Sequence, residues 1–222
     1  MQWFRRGQGP LFRPGRFVEK LGLASAVLNA PTKMMKAIVT PRARLALSSA
    51  PRAFATAASK ITEADVLDCQ AKWATAIKTI SATYLEKGDY VKAAGEAAAE
   101  LYGYGHGNVL FKPTKATKNP FRPTGEDAMS YFVGAEAMKN DKFIGEDAGF
   151  AINGGKGWKE VVFANHQIEL NADTAIAMGS YDFTCATTGD VATVEYTFGY
   201  KRSAEDGKAR IFLHHSSVPY GA

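Results

Sequence analysis

With 222 residues, 46% of them hydrophobic and 22% charged, the chain has the composition of a globular protein and a length short of two full domains. The formal net charge of +5 is uneven: residues 1–54 hold ten Lys/Arg and one acid, Glu19, whereas residues 55–222 hold seventeen Lys/Arg against twenty-one Asp/Glu. The body of the protein is therefore mildly acidic and lacks the clustered cations of a nucleic-acid surface, and no stretch approaches the ~20 apolar residues of a membrane span.

Residues 1–54, rich in Arg, Ala and Ser, read as an organellar targeting segment that is disordered and removed. Arg52-Ala53-Phe54 before Ala55 has the look of a mitochondrial processing site, so the mitochondrial matrix is the expected compartment, with a plastid as the alternative. Residues 55–222 are expected to form one domain. Its two cysteines, Cys69 and Cys185, are far apart and are expected to be buried free thiols.

Thr62 with Asp65 three residues on predicts a capped helix start. Val66, Cys69, Trp73, Ile77, Ile80 and Tyr84 continue as a helical stripe that ends near Lys87-Gly88. Asp89 caps a second helix with a thin alanine face, ended by Gly103, Gly105 and Gly107. Asn108–Lys112 reads as a short strand and 113–123 as a Lys/Thr/Pro loop. Thr124 then caps a third helix, with Asp127 at the capping-box position and Tyr131, Phe132, Ala135 and Met138 among its apolar positions. After a glycine-rich connection, Trp158–Leu170, Thr174–Cys185, Val191–Arg202 and Ala209–Val218 alternate like strands, joined by turn formers, which predicts an antiparallel meander.

Helices first and a sheet afterwards make an α+β domain. The order resembles the cone-shaped SnoaL-like fold, also called nuclear-transport-factor-2-like, whose curved sheet wraps its helices around a pocket. Such a fold hosts many activities, so the site has to carry the function.

Two strings stand out. The chain ends Ile211-Phe212-Leu213-His214-His215-Ser216-Ser217-Val218-Pro219. Strict alternation puts Ile211, Leu213, His215 and Ser217 on one face, an apolar base with a His/Ser tip. His214 and Ser216 then fall on the other face, the outer surface of the sheet. Lys112-Pro113-Thr114 leaves the short strand, with Lys112 and Thr114 sharing a face, and Tyr131 lies on the third helix. Thr114, Tyr131, His215 and Ser217 make a set of neutral hydrogen-bonding groups suited to a small oxyanion and a water. Neighbouring His214 and His215 point apart and cannot share one metal ion, and no His/Cys/carboxylate grouping has zinc spacing. His166 reads as a satisfied buried histidine.

Phe111-Lys112-Pro113-Thr114-Lys115-Ala116, Pro120-Phe121-Arg122-Pro123-Thr124, Ser130-Tyr131-Phe132-Val133-Gly134 and the terminal His214-His215-Ser216-Ser217-Val218-Pro219 together resemble the iota-class carbonic anhydrases over roughly Ile61 to Pro219. The resemblance implies a lyase that reversibly hydrates carbon dioxide to bicarbonate, without a metal in some members and with manganese preferred in others, zinc being a further alternative. It implies that Thr114, Tyr131, His215 and Ser217 surround bicarbonate and the attacking water, His215 carrying the proton, with Lys112, His214 and Ser216 as further substrate-binding candidates. Two other readings remain beside it: another SnoaL-like isomerase or cyclase, with Asp182 or Glu195 to be tested as its base, and a non-catalytic association domain. In each case a homodimer is expected through the open sheet face, on a stripe of Val194, Tyr196, Phe198 and Tyr200.

Overall fold

The computed structural model describes residues 60–221; the targeting segment expected over 1–54, and its processing site, lie outside the described residues. Helix α1 (Glu63–Leu85) opens on a full capping box: Thr62 Oγ1 accepts from Asp65 N–H and the Asp65 carboxylate accepts from Thr62 N–H. Helix α2 (Tyr90–Leu101) starts where the Asp89 carboxylate accepts from Lys92 N–H at 2.9 Å. Strand β1 (Leu110–Lys112) follows, and then α3 (Gly125–Val133), capped by the Thr124 hydroxyl. The third helix does not run on through Met138 as its apolar spacing suggested. Gly134, at φ 103, ends it, and Ala135–Met138 forms a separate turn of helix, α4.

Four strands complete the chain: β2 (Trp158–Asn171), β3 (Thr174–Cys185), β4 (Val191–Arg202) and β5 (Ala209–Ser217). They form the expected antiparallel meander, and β1 adds to β5 in parallel, giving the order β1-β5-β4-β3-β2. The sheet is open and curved, and α1 to α3 pack on its inner face, so the architecture is mixed α+β.

The ladders shift register three times: once at Lys159, where Trp158 pairs with Cys185 and Glu160 with Thr184, and twice more at bulges that lie opposite glycines. Asn165 pairs with Gly179 but Gln167 with Met178, leaving His166 as the extra residue; Gly199 pairs with Leu213 but Tyr200 with Ile211, leaving Phe212 as the extra residue. A Cβ on Gly179 would lie 2.1 Å from the Ala164 carbonyl oxygen, and one on Gly199 would lie 2.8 Å from Leu213 Cβ, so only glycine lets the bulged strand come that close. His166 is carried out to solvent by its bulge and is not the buried histidine expected from its apolar neighbours.

The core is an aromatic box. Trp73 of α1 lies at its centre, within 6.1 Å of the rings of Phe163, Tyr181, Phe183, Phe198 and His214. Val194, Tyr196, Phe198 and Tyr200 are buried against the helices and cannot form the outer stripe expected of a dimer face. The outer surface instead exposes Val162, Ile176 and Met178. Cys69 and Cys185 are both buried and free.

Candidate functional site

The Phe212 bulge decides which histidine faces inward. Across the β4–β5 ladder Ile211 pairs with Tyr200, His214 with Phe198 and Ser216 with Tyr196, and all three β4 partners point into the core. Ile211 and His214 share a face although three residues apart, because one extra residue shifts the alternation. His214 is 2% and Ser216 3% exposed, while His215 and Ser217 lie on the outer face, where the Ser217 hydroxyl donates to Glu195 at 3.1 Å. The placement of His215 and Ser217 in the pocket is thus reversed in favour of His214 and Ser216.

Thr114 does reach the inner cluster, by a different route from the one expected. Strand β1 ends at Lys112, which pairs with outward-facing His215, and the chain then turns at buried Pro113. Lys112 and Thr114 therefore do not share a face. The Thr114 hydroxyl donates to Ser216 Oγ at 2.8 Å. Tyr131, on the buried side of α3, meets Thr114 and the backbone of Lys115 with its phenol; burial pushes that phenol well up, against the pull of these hydrogen bonds.

His214 is held on every side. Its ring is stacked between Phe111 at 4.6 Å and Phe198 at 4.0 Å. Tyr102 contacts Nδ1 at 2.8 Å and Tyr181 contacts Nε2 at 3.4 Å. Trp73 Nε1–H donates to the Tyr102 oxygen at 3.0 Å. An indole can only donate, so the Tyr102 hydroxyl keeps its own proton for Nδ1; the tautomer that matches this arrangement carries the ring proton on Nε2, facing Tyr181. Tyr181 in turn hydrogen-bonds Ser216. Burial, with a smaller contribution from the charge on His215, lowers His214 to about 3, so its imidazole is neutral at physiological pH. Burial likewise pushes Tyr102 and Tyr181 well above the ordinary phenol range.

A continuous chain of neutral groups results: Trp73, Tyr102, His214, Tyr181, Ser216, Thr114 and Tyr131. Its half-exposed member is Thr114, which lies where β1 and β5 end, beside exposed Lys115 and Lys118. Hydroxyls and one neutral imidazole can orient an oxyanion and a water but bring neither the charge nor the donor set of a metal centre. Among the described residues no three His, Cys, Asp or Glu side chains are grouped to hold an ion. Tyr102, Tyr181 and Trp73 were not among the residues singled out in the sequence. Trp73 read there as one position of an apolar helical stripe, and Tyr102 reaches His214 because the chain after α2 runs beside β5, with Gly103 N–H donating to the Ile211 carbonyl at 2.9 Å.

Residues 64–218 match the family model described as metal-independent carbonic anhydrase. A protein of that description from Nostoc sp. (strain PCC 7120) is 41% identical over 166 residues, covering 72% of this chain and 75% of its own. The crystal structure of a cyanobacterial iota-carbonic anhydrase complexed with bicarbonate superposes with a TM-score of 0.66 at 38% identity, covering 73% of this chain and 95% of that one. A calcium/calmodulin-dependent protein kinase II association domain from Xanthomonas campestris superposes at 0.45 with 21% identity, over 75% of this chain and 98% of that one.

Proposed function

The chain belongs to the metal-independent carbonic anhydrases, and we propose that it hydrates carbon dioxide at the hydroxyl pocket formed by Thr114, Tyr131 and Ser216, with His214 and Tyr181 behind it. The observation that carries this placement is the 2.8 Å contact between Thr114 and Ser216, which joins the two strings of the resemblance around one mouth. The bicarbonate complex of the cyanobacterial relative supports the pocket as an oxyanion site.

In the reaction a water oxygen bonds to the carbon of CO2, one C–O π bond becomes the bicarbonate oxyanion, and one water proton leaves. With the substrate in place the Thr114 proton turns from Ser216 to the anion, so that Thr114, Ser216 and Tyr131 each donate to the oxygens on which negative charge grows, a larger gain in a buried site than in water. Holding the water against the carbon converts part of the entropic barrier into binding. His214, at about 3, is too weakly basic to keep the released proton. Its part is to hold Tyr181, and through it Ser216, in one orientation, while the proton departs by way of the hydroxyls at the mouth. His215, first cast as the proton carrier, lies on the wrong face for that task.

Stopped-flow CO2 hydration with the full chain after chelator treatment tests the placement. Thr114→Val and Ser216→Ala are expected each to lower kcat/KM about a hundredfold, the cost of removing one oxyanion donor, whereas His215→Ala and Ser217→Ala keep the wild-type rate. The reverse pattern would return the site to the other face of β5.

A further inference from the structure

Between α4 and β2 the chain forms a strap that the reaction as described leaves unused. Phe150 N–H donates to the Tyr131 carbonyl at 2.8 Å and Ala151 N–H to the Phe132 carbonyl at 2.9 Å, while Ala135 N–H donates to the Asp147 carbonyl at 3.0 Å. This end of the strap is therefore fastened to the helix that carries Tyr131. Its other end reaches the loop that carries Thr114. The Glu146 carboxylate accepts from three successive backbone N–H groups, those of Thr117, of Lys118 at 2.9 Å and of Asn119 at 3.3 Å, and from the Thr117 hydroxyl and the Asn119 amide, each at 3.4 Å. Burial alone would raise the Glu146 carboxyl; these donors outweigh it and hold the group below its usual range.

Asp147, the next residue, ties the same two elements from beneath. It accepts from Arg122 Nη2 at 2.8 Å and from the Ser130 hydroxyl at 2.8 Å, and Arg122 N–H donates to the carbonyl of Phe111, the ring stacked on His214. The guanidinium also lies 4.0 Å over the Phe143 ring. Arg122–Asp147 is fully buried, so removing either partner leaves an uncompensated charge and threatens the fold. Glu146 is half-buried, and its bonds are to uncharged groups of the 117–119 loop alone, so it can be changed without that penalty.

We propose that Glu146 is a positioning residue for the hydration reaction: its carboxylate clamps the 117–119 backbone and so holds Thr114 at the distance from Tyr131 and Ser216 that the reacting oxygens require. The clamp rests on the reading that Thr114 is in the site. Only Lys115 and Ala116 separate Thr114 from the clamped backbone, so releasing the carboxylate lets the Thr114 hydroxyl wander by an ångström or more, a displacement that costs a positioned group dearly.

CO2 hydration and site-resolved amide exchange on the full chain test this. Glu146→Ala is expected to lower kcat/KM roughly ten- to a hundredfold and to speed exchange at 117–119 while β4 amides keep their protection. Glu146→Gln, whose carbonyl still accepts from Thr117 and Lys118, regains part of that loss. Glu100→Ala, which removes a carboxylate paired with Lys208 on α2, keeps the wild-type rate. A wild-type rate in Glu146→Ala beside a disabled Thr114→Val would overturn the clamp alone. So would a loss of rate accompanied by faster exchange throughout the molecule, which marks a general loosening. A wild-type rate in Thr114→Val would remove the site reading, and the clamp with it.

Discussion

His214 is a histidine whose surroundings have removed its usual switch. Two stacked rings, an edge-on indole and two phenols leave water no approach, and the imidazole stays neutral from about 3 upward. In the unfolded chain it would titrate near 6.5. Between those values the unfolded state binds the extra proton and the native state does not, so stability rises with pH across this window and is lost on acidification. Denaturant midpoints measured from pH 7 down to pH 4 should therefore fall less steeply for His214→Gln than for the wild type; parallel slopes would mean that the native imidazole does protonate. Its activity should likewise show no break near 6.5 from this residue. The same burial disqualifies His214 as a proton carrier and suits it to orienting Tyr181 and Ser216. Exposed His215 has the opposite virtues and no access to the pocket.

At the scale of the strand, one inserted residue rewrites the site. Without the Phe212 bulge, the alternation from Ile211 would carry His215 and Ser217 inward and leave His214 and Ser216 outside. The sequence did hold a signal for the bulge: a glycine in the middle of β4, in Thr197-Phe198-Gly199-Tyr200, where a strand would ordinarily place a packing residue. Gly199→Ala should force its methyl against Leu213 and the Phe212 ring, destabilise the protein by about 1–3 kcal/mol in chemical denaturation, and depress hydration activity through the displaced His214 and Ser216. Gly107→Ala, where an added Cβ meets nothing within 4 Å, is the control expected to change neither; equal behaviour of the two variants would mean that the bulge does not depend on Gly199. Element boundaries were far more legible than this register. Caps at Thr62, Asp89 and Thr124 and the turn formers between strands are local chemistry, and they located the elements to within a residue or two, the end of the third helix excepted.

At the scale of the molecule, the helices among the described residues cover only the inner face of the sheet. Val162, Ile176 and Met178 remain exposed on the outer one, around a shallow hollow that includes Asn165, His166, Glu195 and His215. We propose that a second copy of the chain covers this face, which keeps the homodimer expectation while replacing the stripe on which it first rested. Sedimentation of the wild type should give a dimer and Met178→Glu a monomer of unchanged secondary structure; a monomeric wild type would discard the proposal. Among the described residues no helix is long and apolar enough to cross a membrane.

The sequence by itself determined the α+β class, the order and bounds of nearly every element and the family, and it singled out Thr114 and Tyr131, which the fold brings into one cluster. These follow from contacts a few residues apart, from capping, periodicity and turn chemistry, and from motifs that stand whole in the chain. Only the tertiary structure decided which of two adjacent His/Ser pairs faces inward, that Trp73, Tyr102 and Tyr181 surround His214, and that the strap at Glu146 and Asp147 joins the Thr114 loop to α3. Each of these depends on a pairing between residues far apart in sequence. A strand's faces are interchangeable until a neighbour sets its register, and a bulge reverses them at the cost of one residue.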